Sequence, residues 1–128
     1  QYQAGFTSST PWLAVNENYT SINVEEQTAR PDAVLEYFKA MVQLRKKYKT
    51  LIYGAYEPID ESNKQLFAYT RILGEEQFLV VLNFSNQSAT LNTSIQTNQQ
   101  NIIISNYHQP TQNNVYMPYA AVIYKIEK

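Results

Sequence analysis

One change of rhythm constrains this chain more than any other feature. Apolar residues recur every three or four positions from Val34 to Tyr48, and largely every second position beyond about residue 52. In the first stretch Val34, Leu35, Phe38, Met41, Val42, Leu44 and Tyr48 fall on one helical stripe. Arg30-Pro31-Asp32 places a proline where a missing N–H costs nothing, and an acid that suits the positive helix end. Arg45, Lys46, Lys47 and Lys49 crowd the other end, where cations meet the negative pole. The pattern predicts a helix over 31–49, with Gly54 as the stop signal.

From about residue 52 the period is two. Leu66 to Ile72 alternates and sets Phe67, Tyr69 and Arg71 on one face, and Leu73-Gly74-Glu75-Glu76 reads as a hairpin connection. Gln77 to Phe84 is a continuous apolar run, the pattern of a central strand buried on both faces. Further strands are expected over 101–105 and 120–126, with weaker ones at 55–58 and 90–92. Polar connectors separate them at 93–100 and 108–114. The expected fold is therefore mainly β: an antiparallel sheet or small sandwich, preceded by a loop and one long helix.

Residues 1–30 show neither period, yet include Phe6, Trp12, Leu13, Val15, Tyr19, Ile22 and Val24. A long structureless segment is uncommon inside a compact domain, and a disordered tail is poor in aromatics. The segment reads as a loop that packs on something large, which is not evident within these 128 residues.

Composition removes several classes of function. Ten Lys+Arg against eleven Asp+Glu give a formal charge of −1, so the basic stripe of an electrostatic nucleic-acid binder is missing. With 12 Asn and 12 Gln but only 16% charged residues, the surface is polar through amides and hydroxyls. No apolar run approaches the roughly 20 residues of a membrane helix. No signal-peptide pattern is present, so no membrane is expected as a partner and the cytoplasm is the expected location. There is no cysteine, and His108 is the single histidine, which excludes thiolate and multi-histidine metal sites.

The catalytic inventory is thin. Asp32, Asp60 and nine glutamates sit mostly in a helix cap, in turns or in pairs such as Glu25-Glu26 and Glu75-Glu76. None is singled out as half of a facing carboxylate pair, which glycoside hydrolysis needs at roughly 5–9.5 Å. His108 lies in a polar connector with no evident companion and reads as a turn residue rather than a general base. Three glycines are too few for a phosphate cradle. Asn18, Asn83, Asn86 and Asn92 each begin an N-x-S/T sequon, which a chain this rich in Asn, Ser and Thr produces by chance. The basic run 45–49 reads as a solvated helix end, with an anionic partner as the alternative. The aromatics of the β segment read as core, with stacking on sugar rings as the alternative. Trp12 and Tyr19 are the better candidates for lining a site, provided a partner domain supplies it. No catalytic, substrate-binding or metal residue is assigned, and no cofactor is expected.

Ala4-Gly5-Phe6-Thr7, Pro11-Trp12-Leu13, Val15-Asn16-Glu17-Asn18-Tyr19 and Ile22-Asn23-Val24-Glu25 together resemble a segment of the alpha-glucosidase branch of the alpha-amylase superfamily. That branch includes oligo-1,6-glucosidases, dextran glucosidases, trehalose-6-phosphate hydrolases and sucrose isomerases. Pro31-Asp32 and Leu44-Arg45-Lys46 follow in the family's order. Phe67-Ala68-Tyr69-Thr70-Arg71, Val80 to Ser85, Ile104 to Tyr107, Pro118-Tyr119 and Ala121-Val122 resemble its C-terminal domain. The likeness runs over essentially the whole chain and is most specific across 4–25.

The resemblance implies a fragment of a larger enzyme. Residues 1–52 would end a catalytic (β/α)₈ barrel, as the loop 1–30 after its last strand and the helix 31–49. Residues 53–128 would form the antiparallel C-terminal β domain. The family's nucleophilic Asp, acid/base Glu and stabilising Asp would lie upstream of Gln1, so no residue here inherits a catalytic role. The implied partners are the N-terminal barrel and the oligosaccharide substrate of the whole enzyme. The bare helix stripe also predicts self-association.

Overall fold

The structure, a computed structural model, describes residues 2–127. Contacts divide it into two compact units that meet between Lys39 and Ala40.

The first unit holds a turn at Tyr2–Gly5, with Gln3 and Ala4 at φ of 51° and 52°, a 3₁₀ turn Glu17–Thr20, and a short helix α1, Val24–Thr28. The expectation of one loop over 1–30 is corrected by α1. Asn23 caps it, its Oδ1 accepting from the Glu26 N–H at 2.9 Å, and Glu25 and Glu26 occupy the positive first turn. That Asn-x-x-Glu spacing is a capping signal. Helix α2, Val34–Lys47, begins in the same unit. It starts three residues later than the predicted 31. Pro31 and Asp32 lie in the preceding turn, where Arg30 reaches Asp32 at 3.4 Å and Glu26 at 3.7 Å. The Leu35 N–H, one of the orphan donors of the first turn, donates to Gln27 Oε1 of α1 at 3.2 Å.

In the second unit α2 stops at Lys47, and a separate turn of helix, α3 (Thr50–Tyr53), follows in place of the single helix predicted to 49. Gly54 then turns the chain into the sheet. Its φ of −60° is open to any residue, but an added Cβ would stand 2.5 Å from the Thr50 carbonyl oxygen and 3.0 Å from the Ile72 nitrogen. Close approach of two backbones, not a special turn, requires the glycine.

Eight strands follow: β1 Ala55–Ile59, β2 Leu66–Leu73, β3 Glu76–Asn83, β4 Ala89–Thr90, β5 Ile102–Ser105, β6 Thr111–Gln112, β7 Val115–Tyr116 and β8 Ala121–Ile126. Five form an antiparallel sheet in the order β1-β2-β3-β8-β5, and three form a small sheet in the order β4-β7-β6. The mainly β antiparallel fold read from the sequence is what the structure shows. β3 is the central strand, and Phe78 to Val81 are all buried, as the apolar run required. Phe84 is the exception: pairing ends at Asn83, and Phe84 is 70% exposed. Gly74 carries the positive φ of the two-residue β2–β3 turn.

Alternation along the strands builds two cores. Leu66, Ala68, Leu79, Val81, Val122 and Tyr124 face the small sheet and close on Ala89, Leu91, Tyr116 and Ala120. The opposite face presents Phe78, Val80 and Ile123, packed against Met41 of α2, Leu51 of α3 and Tyr48 between the two helices. The hairpin β6–β7 begins within 108–114, which the sequence marks only as a polar connector, and ends beyond it. Its turn is Asn113-Asn114, with φ of 52° and 61°. Asparagine tolerates that left-handed region better than most residues. Both edges of the large sheet are irregular: Pro58 sits in β1, and β5 shifts register between Ile102 and Ile104.

Candidate functional site

The aromatic leading segment is open. Trp12 is 92% exposed, and Phe6, Leu13 and Ile22 are exposed as well. Tyr19 is half-buried, and its carbonyl accepts from Asn23 Nδ2 at 3.0 Å. Among the described residues no ring contact joins Trp12 to Tyr19. The helical stripe divides by position. Val34 and Phe38 are exposed, whereas Leu35, Met41, Val42, Leu44 and Tyr48 are half-buried.

The junction of α2–α3 with the sheet is a polar latch set in aromatic packing. Thr50 Oγ1 donates to the Glu76 carboxylate, whose other oxygen meets Lys125 Nζ at 3.4 Å. That ammonium lies 5.5 Å from the Tyr48 ring, and Lys47 lies 5.0 Å from it. Tyr48 in turn packs tilted on Phe78 with centroids 5.0 Å apart. One cation of the basic run, Lys47, thus has a local role at the helix end.

Beside the latch, β1 and β2 carry an aromatic row. Tyr56 and Phe67 flank Tyr69 at centroid distances of 5.1 and 5.4 Å, and both flanking rings are about half exposed. Burial pushes the Tyr69 hydroxyl pKa up. Arg71 closes the row, one guanidinium nitrogen donating to the Ile52 carbonyl at 3.0 Å, while its buried Nε has no partner among the described residues.

Five of the carboxylates are engaged structurally. Glu36 pairs with Lys39, Glu76 with Thr50 and Lys125, and Glu26 and Asp32 with Arg30. Asp60 Oδ2 accepts from Asn63 Nδ2 at 2.8 Å and from the Asn92 N–H at 3.0 Å. Chiefly the Asn63 bond, then the Asn92 amide, holds its pKa below the usual carboxylate value. His108 is exposed in an irregular segment. Among the described residues no group of three or more His, Cys, Asp or Glu is placed to hold a metal. No helix among them is long and apolar enough to cross a membrane.

Asn83 is buried, and it is one of the four sequon asparagines. Its Nδ2 faces the carbonyls of Gln87 (2.8 Å), Met117 (2.9 Å) and Tyr116 (3.2 Å), and its Oδ1 accepts from the Ser85 N–H (2.9 Å) and Oγ (2.8 Å). An amide so committed offers no glycan acceptor in the folded chain.

One polar recess had no counterpart in the sequence reading. A cavity of about 250 Å³ is lined by Thr97, Asn98, Gln99, Thr111, Asn113 and Tyr124. An opening of about 630 Å³ shares the 97–99 wall and extends along Gln100, Asn101 and Glu127. Nothing periodic marks these residues, because the recess joins the segment 97–99 to Thr111 of β6 and Tyr124 of β8, far apart in sequence.

Comparison with known proteins matches two families along the chain. Residues 1–54 match the family described as alpha amylase, catalytic domain, and residues 56–121 match the maltogenic amylase C-terminal domain. An oligo-1,6-glucosidase of Bacillus cereus is 36% identical over 99% of this chain and 24% of its own length. A glucan 1,6-alpha-glucosidase of Streptococcus pneumoniae is 40% identical over 80% of this chain and 19% of its own. Trehalose-6-phosphate hydrolase of Bacillus licheniformis superposes with a TM-score of 0.86 at 30% identity, over 100% of this chain and 24% of that one. Isomaltulose synthase of Erwinia rhapontici does so with a TM-score of 0.86 at 36% identity, over 98% and 23%. The chain spans about a quarter of the length of the curated relatives it matches.

Proposed function

The chain belongs to the alpha-amylase superfamily, joining catalytic-domain sequence (1–54) to a maltogenic-amylase C-terminal domain (56–121). From that premise we propose that it is the non-catalytic C-terminal portion of a retaining α-glucosidase. The whole enzyme would release terminal α-linked glucose, α-1,6-linked, from oligosaccharides through a glycosyl-enzyme intermediate. One observation carries the reading: the carboxylates described above are tied up in caps, latches and ion pairs, while the relatives are glycosidases four times longer. Residues 1–52 would complete the catalytic barrel, and 53–128 would brace it. The barrel is the partner proposed for Phe6, Trp12, Leu13, Val34 and Phe38, whose exposure is otherwise costly in water. No catalytic residue, metal or cofactor is assigned to this chain, and the cytoplasm is its proposed location.

The test is an assay of the chain alone against isomaltose and p-nitrophenyl α-glucoside. No turnover is expected, and turnover should appear when the same residues are joined to a barrel carrying the family's carboxylates. Hydrolysis by the chain alone would overturn the reading. The bare apolar residues further predict concentration-dependent association of the isolated chain, lowered by Phe38→Asp in sedimentation velocity.

The row Tyr56–Tyr69–Phe67 supports a second reading, an independent carbohydrate-binding module, because two half-exposed rings offer faces to a sugar. Saturable binding of isomaltose that Tyr56→Ala abolishes would favour it.

A further inference from the structure

The recess between residues 97–99 and the β6–β7 hairpin has chemistry that neither scaffolding nor core packing uses. Tyr116 and Tyr124 are fully buried, Thr111 is 8% exposed, and the hydroxyls of all three lack a hydrogen-bond partner among the described residues. The Tyr116 hydroxyl lies near those of Tyr124 and Thr97 without closing a bond of good geometry to either. Native proteins pair nearly all such groups, so the two that line the recess, those of Tyr124 and Thr111, call for an explanation. The wall in front of them is built from amides. Asn98 Oδ1 is occupied by the Gln100 N–H at 3.0 Å, and Gln99 Nε2 leans on the Thr111 carbonyl at 3.4 Å. Their remaining donor and acceptor capacity, and that of Asn113, is open to a ligand.

The six lining residues carry no charge, and no apolar side chain is among them. An ionic ligand would find no counter-charge, and an apolar one would leave the hydroxyls unpaired at a cost. At about 250 Å³ the recess is just below the roughly 300–1,000 Å³ of drug-sized sites, and far larger than the ~30 Å³ of one water. The geometry points to a binding site for one neutral, polyhydroxylated unit of monosaccharide size. Tyr124 and Thr111 lie at its floor, Asn98, Gln99 and Asn113 at its rim, and the adjoining opening gives room for a second unit. The inference is independent of the glucosidase reading, because a site here stands whether or not the parent enzyme cuts a glucoside.

The test is a titration of the full chain, ¹⁵N-labelled, with D-glucose and with isomaltose. The side-chain amide signals of Asn98, Gln99 and Asn113 should shift saturably, with a Kd on the order of 1–10 mM, as expected for so small a ligand. Tyr124→Phe and Thr111→Val each remove one hydroxyl at nearly constant volume, and each should raise Kd about three- to tenfold. Asn98→Leu, at an exposed rim position, should do the same, with a change in the Gln100 amide signal marking the lost cap. Tyr56→Ala should leave these shifts unchanged. Absence of a saturable shift up to about 100 mM sugar, ten times the expected upper Kd, would overturn the proposal. So would shifts that survive both Tyr124→Phe and Asn98→Leu.

Discussion

Replacing Asn83 separates hydrogen bonding from mere space-filling in the sandwich. The side chain is 4% exposed and touches three carbonyls through Nδ2 and two Ser85 donors through Oδ1. Ser85 Oγ has a second acceptor, the Gln87 carbonyl at 2.9 Å, so its loss is relieved. Two N–H groups on Nδ2 serve three carbonyls by sharing. That leaves about three bonds lost without compensation, and at about 1 kcal/mol each Asn83→Ala costs about 3 kcal/mol. For a domain of this size, such a loss lowers Tm by roughly 12–24 °C. Asn83→Asp should be worse than alanine at pH 8, because a carboxylate oxygen then faces three carbonyls with no proton to give. Asn86→Ala, at an exposed position, serves as the control, with an effect within about 0.5 kcal/mol. Thermal and urea unfolding followed by far-UV circular dichroism reads the β unit, whereas Trp12 lies in the other unit. If Asn83→Asp proves milder than Asn83→Ala, or if Asn83→Ala shifts Tm by less than about 3 °C, the amide is not the clasp described.

Three further outcomes follow from the same core. Val81→Asp buries an unpaired charge at a fully enclosed site and should cost about 4 kcal/mol or more, whereas Phe84→Asp should change urea stability by under about 1 kcal/mol. Gly54→Ala forces a methyl into the Thr50 carbonyl and should cost about 1–3 kcal/mol, with the loss read as a lower denaturation midpoint. Asp60 has a depressed folded pKa, so its stabilisation is present above the unfolded value of about 3.9 and is lost as pH falls through the lower folded value. Urea midpoints measured between about pH 2.5 and 7 should therefore fall less steeply with acid in Asp60→Asn than in the parent.

What the sequence revealed follows the range of each interaction. The central strand β3 was legible because burial on both faces demands an unbroken apolar run, which Phe78 to Val81 supply. Phe84 misled because an aromatic side chain adjoining such a run looks the same whether it faces the core or the solvent, and here it is exposed although its N–H still donates to the Gln65 carbonyl. The start of α2 was misplaced because the Leu35 N–H is met by Gln27 eight residues earlier, a cap that no local spacing reveals. Its end was misplaced because Thr50 is drawn inward to Glu76, 26 positions away. The cap of α1 was local and readable in Asn23 and Glu26. The β6–β7 hairpin announced itself only through Asn113-Asn114. The polar recess left no trace, since residues 97–99 and Thr111 become neighbours only after the sheets close.

The irregular margins of the large sheet carry a consequence of their own. Pro58 deprives the β1 rim of an amide donor, and the slip in β5 bends the opposite rim, so neither offers an incoming strand a clean template. Copies of this polypeptide that cling together through greasy side chains should accordingly form dispersible clusters, not fibrils that seed and lengthen.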